Sequence, residues 1–482
     1  MEVLAIYAVE LVGIDKTFPG GVHANKNVTL RIEEGEIHGL LGENGAGKST
    51  LMNILYGLLK CDSGEILIKG EKVELDSPQD AIFRGVGMVH QHFKLIPPLS
   101  VTENVILGLE HGMRVGKVSD SIIPIDFDSA AKKIKKIAVE NGFAIDPYEK
   151  VRDLSVGLQQ RVEIIKTLYR EADILILDEP TSVLTPQEVD ELFVTLEKFR
   201  KEGKTMILIT HKLREPMALC DRISVLRDGA LIGTVNKADT TAPDLAKMMV
   251  GRPVVFQVEK TPSTPGKTVF SVKNLSVNDY RGLPAVKDVS FDLFAGEILG
   301  IAGVEGNGQT ELVEAITGLI KPTGGQVLVG ELDITGKNPR TVRAAGVSHI
   351  PEDRHQRGLI LSFNIEENLA LGSHHIAPFA FGPMLSFLNP ASFVAKADAL
   401  IQDYSIKVRD SKDPASTLSG GNQQKLVVAR ELGSSPKVVI AAQPTRGLDV
   451  GATEYIHNVL ISMRDAGIGI LLVSAELDEI RT

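Results

Sequence analysis

A repeat that spans the whole chain limits what it can fold into. Gly42 and Gly303 stand 261 residues apart, as do Gln91 and Glu352, while Ser155 and Ser419, Asp178 and Ala442, and His211 and Ala475 are each 264 apart. Motifs that keep one order and one spacing over such a distance imply duplication of a complete domain, not of a short motif. The 482 residues, 43% of them hydrophobic, supply enough apolar surface for two cores, since α/β domains extend to about 250 residues. The pattern sets a first domain at 1–251, a short Pro-, Thr- and Ser-rich linker at 252–267, and a second domain at 268–482. Pro253, Pro262 and Pro265 predict a semi-extended linker.

Each half reads as α/β. In the first, Glu36–Leu41 is an apolar strand that runs into a Gly-rich loop, and Ser49–Leu58 is the helix after it. Ile174–Leu177 and Met206–Ile209 are continuous apolar runs, as expected of strands buried on both faces. Asp126–Asn141 reads as a helix, with Asp128 near its start, Ile134, Ile137 and Ala138 on one face, and Gly142 as its stop. Ile223–Leu226 and Leu231–Val235 flank Asp228-Gly229 as a tight hairpin.

The strongest chemical signal is Gly42-Glu43-Asn44-Gly45-Ala46-Gly47-Lys48-Ser49, followed by Thr50. Its glycines let backbone N–H groups wrap phosphate oxygens, and the following helix N-terminus adds positive potential. Lys48 is placed to reach the β and γ phosphates and the Ser49 hydroxyl to hold Mg²⁺. A chance Gly-rich turn is disfavoured because this loop follows an apolar strand and opens a helix. Asp178-Glu179 closes the strand at Ile174–Leu177, with Asp178 a Mg²⁺ ligand, directly or through water, and Glu179 the group that polarises the attacking water. An acid pair alone would read as a helix or strand cap; the phosphate loop reverses those odds.

The order of phosphate loop, Gln91, Leu154-Ser155-Val156-Gly157-Leu158-Gln159-Gln160, Asp178-Glu179-Pro180 and His211 resembles an ABC transporter ATPase. The second half carries that family's signature in full, as Leu418-Ser419-Gly420-Gly421-Asn422-Gln423-Gln424. The resemblance covers essentially the whole chain. It implies two P-loop NTPase domains, each a RecA-like α/β core with an antiparallel β subdomain and a helical subdomain, arranged as a head-to-tail pseudo-dimer. It further implies that Gln91 senses the γ-phosphate and Mg²⁺, and that His211 is the switch residue at the γ-phosphate. Ser419, Gly420, Gly421 and Gln423 would close over ATP held by Lys48, and Phe18 would stack on adenine unless it merely packs in the core.

The second half departs from the pattern in an organised way. Its loop, Gly303-Val304-Glu305-Gly306-Asn307-Gly308-Gln309-Thr310, has neutral Gln309 in place of the lysine. Ala442 and Gln443 remove the metal carboxylate and the base, Ala475 replaces the switch histidine, and Glu352 replaces the glutamine. The signature that would face this loop is altered too: Ser155 and Gly157 remain, but Val156 stands where glycine would let phosphate approach. Thr185, in Ser182-Val183-Leu184-Thr185, replaces an aspartate that the second half keeps as Asp449. The substitutions therefore fall on one composite site. One complete hydrolytic site is expected, and one that binds nucleotide weakly, statically or not at all.

The tandem form without a fused membrane segment resembles importers of simple sugars and nucleosides, to which Ile350-Pro351-Glu352-Asp353-Arg354 and Thr445-Arg446-Gly447-Leu448-Asp449-Val450-Gly451-Ala452 are typical. Ala441-Ala442-Gln443-Pro444 and Val89-His90-Gln91-His92-Phe93 look more like the nucleoside branch, with a ribose- or galactose-type importer as the alternative. The implied partners are two integral membrane permease subunits and, indirectly, an extracytoplasmic substrate-binding protein, with the chain peripheral on the cytoplasmic face. No stretch reaches the ~18 uncharged apolar residues of a membrane span, so a membrane role runs through partners. The net charge of −10 argues against nucleic acid, which selects a basic face. That charge, the short linker and Cys61 and Cys220 without metal spacing disfavour a tandem ATPase acting on ribosomes or DNA. The complete first site disfavours a non-hydrolytic scaffold. His374–Leu388, with Phe379, Phe381 and Phe387, lies near where family members dock the permease, though clustered aromatics are more often core. After Ala475 only seven residues follow, so a counterpart of the Ile223–Val235 hairpin is not expected; this reads as a truncation, with an unpaired edge and reduced stability in the second domain.

Overall fold

A computed structural model describes residues 7–91, 93–109, 126–182, 184–253, 260, 262–303, 306–377, 379–381 and 387–481. Tertiary contacts divide the chain into two compact units, Met1–Val254 and Val255–Thr482. Residues 254–259 and 261 of the linker segment, together with His92, Val183, Val304 and Glu305, lie outside the described residues.

In the first unit, long strands β1 (Tyr7–Phe18) and β2 (Val22–Glu33) form an antiparallel sheet with β4 (Ser63–Ile68) and β5 (Glu71–Val73), in the order β2-β1-β4-β5. The second sheet comprises β3 (Ile37–Leu41), β6 (Val86–Val89), β7 (Ile174–Asp178), β8 (Thr205–Thr210), β9 (Arg222–Arg227) and β10 (Ala230–Asn236), in the order β10-β9-β3-β8-β7-β6. All its pairings are parallel except β9 with β10. The apolar runs at β3, β7 and β8 are buried at every residue, which explains why they lack alternation. Asp228 and Gly229 join β9 to β10 with φ of 50° and 83°, the paired positive angles that a tight hairpin needs.

Helices α1 (Lys48–Leu55), α2 (Pro78–Phe83), α3 (Val101–Ile106), α4 (Phe127–Glu140), α5 (Val156–Tyr169), α6 (Pro186–Lys201), α7 (Arg214–Leu219) and α8 (Ala242–Val250) complete the unit. Helix α4 has Asp126 as its N-cap, donated to by Ser129 N, and Gly142 follows with φ of 71°. Helix α1 ends at Leu55, short of the expected Leu58, because Gly57 turns to φ 73° against the Ser77 carbonyl.

The second unit repeats this plan. Strands β11 (Thr268–Asn278), β12 (Pro284–Phe294), β14 (Gly324–Val329) and β15 (Leu332–Asp333) make the antiparallel sheet, ordered β12-β11-β14-β15. Strands β13 (Ile298–Ala302), β16 (Val347–Ile350), β19 (Val438–Ala442) and β20 (Gly469–Ser474) make the parallel one, ordered β13-β20-β19-β16. A short hairpin, β17 (Ala380–Phe381) with β18 (Phe387–Leu388), precedes the later helices. The helices are α9 (Gln309–Ile316), α10 (Pro339–Ala344), α11 (Ile365–Ala370), α12 (Pro390–Asp403), α13 (Gly420–Leu432), α14 (Val450–Asp465) and α15 (Leu477–Arg481). Among the described residues β13 pairs with β20 alone, and it is only partly buried where β3 is wholly so. Phe379 is buried edge-on against Phe393 at 5.2 Å, so it belongs to the core; the side chains of Phe381 and Phe387 lie outside the description.

A buried polar network fastens β3 to the hairpin of the first unit. His38 Nδ1 lies 3.0 Å from Glu36 Oε1 and Nε2 lies 2.8 Å from Ser224 Oγ, which meets Thr234 Oγ1 at 2.7 Å. Arg222 donates from Nε and Nη2 to the two Glu36 oxygens, both at 2.8 Å. Burial pushes the Glu36 carboxyl up, but the Arg222 and His38 bonds prevail and hold it at about 2. Its stabilising contribution is therefore full above its ordinary value of 4.5 and is lost as pH falls towards about 2. Glu36→Gln removes the buried carboxylate that half-buried Arg222 pairs with, leaving it Arg31 O and Glu33, and is expected to cost the first unit about 1.5–3 kcal/mol at pH 7. That gap should shrink on acidification below the ordinary glutamate range, and urea unfolding across pH measures it; equal stability at pH 7 would refute the assignment.

Candidate functional site

Strand β3 delivers the chain to the loop at Gly42, and α1 begins at Lys48. Gly45 and Gly47 have φ of 83° and 98°, angles that side chains resist. A Cβ on Gly47 would strike the Ala24 carbonyl, and one on Gly42 the Leu226 carbonyl. Hydrogen bonds hold the loop on both sides: Asn25 Nδ2 donates to Gly47 O at 3.1 Å, and Gly229 N donates to Ala46 O at 3.2 Å. Glu43 and Asn44 are half-buried and Ala46 is buried. Buried Lys48 folds back so that Nζ donates to Gly42 O at 2.7 Å and Glu43 O at 3.0 Å. Ser49 is exposed beside it at the start of α1, with Thr50 half-buried.

Strand β7 ends at buried Asp178. Glu179 follows with φ of 46°, an uncommon backbone for a non-glycine residue and one that concentrates at functional positions. Its carboxylate is shared: Gln91 Nε2 donates to Oε2 at 2.7 Å, and His211 Nδ1 lies 2.8 Å from Oε1. Burial pushes the Glu179 carboxyl up, but the His211 bond and charge, then Lys48 and Lys212, outweigh it and hold it below the ordinary glutamate range. Glu179 is thus ionised at neutral pH and able to accept a proton. Phe18, at the tip of the β1–β2 hairpin, is half-exposed and outside the buried cluster of that unit.

The two signatures open helices α5 and α13. Ser155 caps α5, accepting from Leu158 N at 3.4 Å, and Val156 beside it is 46% exposed. Ser419 caps the position before α13 and is exposed, its Oγ receiving Asn422 Nδ2 at 2.9 Å, while Gly420 and Gly421 are half-buried. Gln423 departs from expectation. It is buried, donating to Ala415 O at 3.2 Å and meeting His355 Nε2 at 2.8 Å, so it fastens the helix inward and does not join Ser419 and Gly420 at the surface.

The second unit keeps the backbone and changes the chemistry. Gly306 and Gly308 have φ of 87° and 88°, and Gln443 has φ of 48°. Gln309 Nε2 donates to Gly303 O at 2.8 Å, the place that Lys48 Nζ takes on Gly42. Thr310 Oγ1 donates to Glu352 Oε2 at 3.3 Å, and Glu352 Oε1 pairs with Arg446 Nη1 at 2.5 Å. Ala442 is buried, and the Ala475 N–H points to Gln443 Oε1 at 3.5 Å.

Residues 25–182 and again 286–446 match the ABC transporter family. The chain belongs to that family. It is 49% identical to the guanosine import ATP-binding protein NupO of Bacillus subtilis (strain 168) over 98% of this chain and 91% of the relative. It is 48% identical to the nucleoside import ATP-binding protein NupA of Lactococcus lactis subsp. cremoris (strain MG1363), over 98% and 91% of the two chains. A glucose import ATP-binding protein of Haloferax volcanii is 46% identical over 97% of this chain and 88% of its own length. This ABC ATPase binds ATP and hydrolyses it in the service of membrane transport, together with membrane permease components. No helix among the described residues is long and apolar enough to cross a membrane.

Mg²⁺ prefers hard oxygen ligands, with one or two carboxylates. In the first unit of this ABC ATPase, the Ser49 hydroxyl, Asp178 carboxylate and Gln91 amide carry oxygens of that kind, which would fit the ion. In the second unit the aspartate is Ala442 and the remaining carboxylate, Glu352, is paired with Arg446, so the donors do not fit the ion. Two participants escaped the sequence reading. Arg446 supplies that ion pair from a position occupied by Ser182 in the first half. Glu188, which closes a capping box by accepting from Thr185 N at 2.9 Å, also lays its carboxylate directly against Gly157. The matching contact in the second unit is Ala452 against Gly421, 3.2 Å from a Cβ there. Gly47→Ala must relieve both its φ and the Ala24 contact, and is expected to abolish tight nucleotide binding; titration with a fluorescent ATP analogue would measure this, and unchanged affinity would show that the loop does not hold nucleotide.

Proposed function

We propose that this chain powers the import of nucleosides, with one hydrolytic ATP site built on the first unit's phosphate loop. The observation that carries the reading is the convergence of Gln91 and His211 on the Glu179 carboxylate in the unit that also has Lys48. The second unit offers Glu352, Gln443 and Ala475 instead. Glu179 is the general base towards water, His211 and Gln91 orient it and report on the γ-phosphate, and Lys48 with the loop amides holds the β and γ phosphates. Ser49, Asp178 and Gln91 would hold Mg²⁺, which would supply charge neutralisation of the phosphates. Phe18 stacks on the base, and Ser419, Gly420 and Gly421 are the signature residues assigned to nucleotide contact by the resemblance.

The second unit's own loop and strand end carry Gln309, Ala442 and Gln443 in place of the lysine, the metal carboxylate and the base. The site therefore turns over no ATP. Nucleoside as cargo rests on the two nucleoside and guanosine relatives and on the Ala441-Ala442-Gln443-Pro444 segment; the glucose relative keeps a sugar importer as the second reading. The chain sits on the cytoplasmic face, and a substrate-binding protein acts on the other side.

With permease reconstituted, Glu179→Gln should lower steady-state ATPase by about 10² or more, as for loss of a general base, while Gln443→Glu should stay near wild type. Substantial activity in Glu179→Gln would overturn the single-site assignment. Vesicles carrying the complete transporter should accumulate labelled guanosine in preference to ribose or glucose, and the opposite preference would select the sugar reading.

A further inference from the structure

Between β16 and α11 the second unit carries three residues that the first lacks. Gln91 and Glu352 are 261 positions apart, whereas Ser100 and Asn364, the N-caps of α3 and α11, are 264 apart. The longer segment forms a short π-helix, Arg354–Gly358, with the Asp353 side chain accepting from His355 N at 2.8 Å and Gln356 N at 3.0 Å. No helix occupies the matching stretch 93–99 of the first unit. Turns of this kind are rare and concentrate at functional sites.

The inserted turn is tied to the helices around it. Arg357 Nη2 meets Glu314 Oε1 of α9 at 2.6 Å. On α13, His355 Nε2 lies 2.8 Å from Gln423 Oε1, and Arg430 Nη1 donates to Gly358 O at 2.7 Å. Arg354 goes to the signature itself: its Nη2 would stand 3.1 Å from a Cβ on Gly420. Arg354 Nη1 donates to Arg446 O at 3.0 Å, and the Arg446 side chain is held by Glu352, which also accepts from Thr310 Oγ1 at 3.3 Å. Stability does not account for this placement. The guanidinium stands at the N-terminal end of α13, where the helix dipole disfavours a cation. Its Nε is shielded from solvent and has no hydrogen-bond partner among the described residues, which costs free energy. Three departures of the second unit thus fall on one chain of contacts: Glu352 for glutamine, Arg446 for Ser182, and the inserted turn that bears Arg354.

We propose that Arg354 is a positioning residue for ATP hydrolysis: it fixes Ser419, Gly420 and Gly421 against the Arg446-Gly447 turn, so that the signature meets phosphate without first having to be ordered. The proposal rests on the reading that this signature contacts the nucleotide being hydrolysed. Groups held in place before the reaction cost no reorganisation during it. Arginine suits the task because its planar fork reaches Arg446 O and the flank of Gly420 at once, where lysine offers a single point. Glu352 and Arg446 gain a use in the same arrangement: no longer serving a metal or a base, they anchor the turn to which Arg354 is tied. The first unit's signature is flanked differently, since the atoms nearest a Cβ on Gly157 belong to Glu188.

The test is a double-mutant cycle on the full chain with permease reconstituted. Arg354→Gln and Ser419→Ala are each expected to lower kcat about tenfold. If Arg354 acts through the signature, the combined variant loses little more than either alone, whereas independent losses multiply to about a hundredfold. Arg354→Lys, which keeps the charge and a donor for Arg446 O, should recover most of the activity. A fluorescent ATP analogue should bind Arg354→Gln with wild-type stoichiometry and an affinity within about twofold, which separates a misplaced signature from an unfolded domain. Multiplicative losses, or wild-type kcat in Arg354→Gln, would overturn the proposal. Loss of analogue binding in Arg354→Gln that Arg354→Lys does not restore would mark a merely structural role and overturn it too. Full activity of Ser419→Ala would sink the signature reading and this proposal with it; a Ser419→Ala loss that multiplies with that of Arg354→Gln would sink the proposal alone.

Discussion

Everything at the first unit's site depends on the parallel alignment of β6, β7, β3 and β8. Because these strands run the same way, their carboxyl ends line one edge of the sheet. That edge collects Gln91 after β6, Asp178 and Glu179 at the end of β7, the phosphate loop after β3 and His211 after β8. Gln91 and His211, 120 positions apart, are thereby each brought within a single hydrogen bond of the Glu179 carboxylate. The strands can hold this order because they are buried on both faces, which leaves no register in which an apolar residue would gain by slipping.

The loop itself is a second constraint. Its glycines supply angles that other residues resist, and the first unit clamps it between the β1–β2 sheet and the β9–β10 hairpin through Asn25 and Gly229. In the second unit the corresponding sheet still approaches, with Ala285 O against Gly308, but no hairpin flanks β13 among the described residues. The polar fastening of Glu36, His38, Ser224 and Arg222 has no equivalent there either, since Leu299 stands in the place of His38.

Local chemistry was legible in the sequence. The phosphate loop, the Asp178-Glu179 step, the duplicated spacing and the Asp228-Gly229 turn each occupy a short stretch whose geometry follows from its own residues. What escaped was contact between segments far apart in the chain. Nothing in Thr185-Pro186-Gln187-Glu188 distinguishes an ordinary capping box from one whose carboxylate also covers Gly157. The Glu352–Arg446 pair joins two separately noted motifs, and the Arg343–Glu431–Arg430 cluster draws on three helix positions with no motif at all. The burial of Gln423 was not legible, because its position within a motif says nothing of which way its side chain turns. The length of α1 was overestimated because the stop comes from Gly57 meeting the Ser77 carbonyl, a tertiary contact.

The retained backbone of the second unit has a pharmacological corollary. Glu179 and Gln443 share nearly the same φ, 46° and 48°, and Lys48 and Gln309 make the same return to the loop carbonyl. The chain thus carries a second copy of its phosphate loop with the same backbone and a neutral side chain in place of the ammonium. A small molecule that reads only main-chain amides would bind both copies and report little about turnover. One that bridges an ammonium and an ionised glutamate would discriminate between them within a single polypeptide, with the silent copy serving as an internal selectivity control.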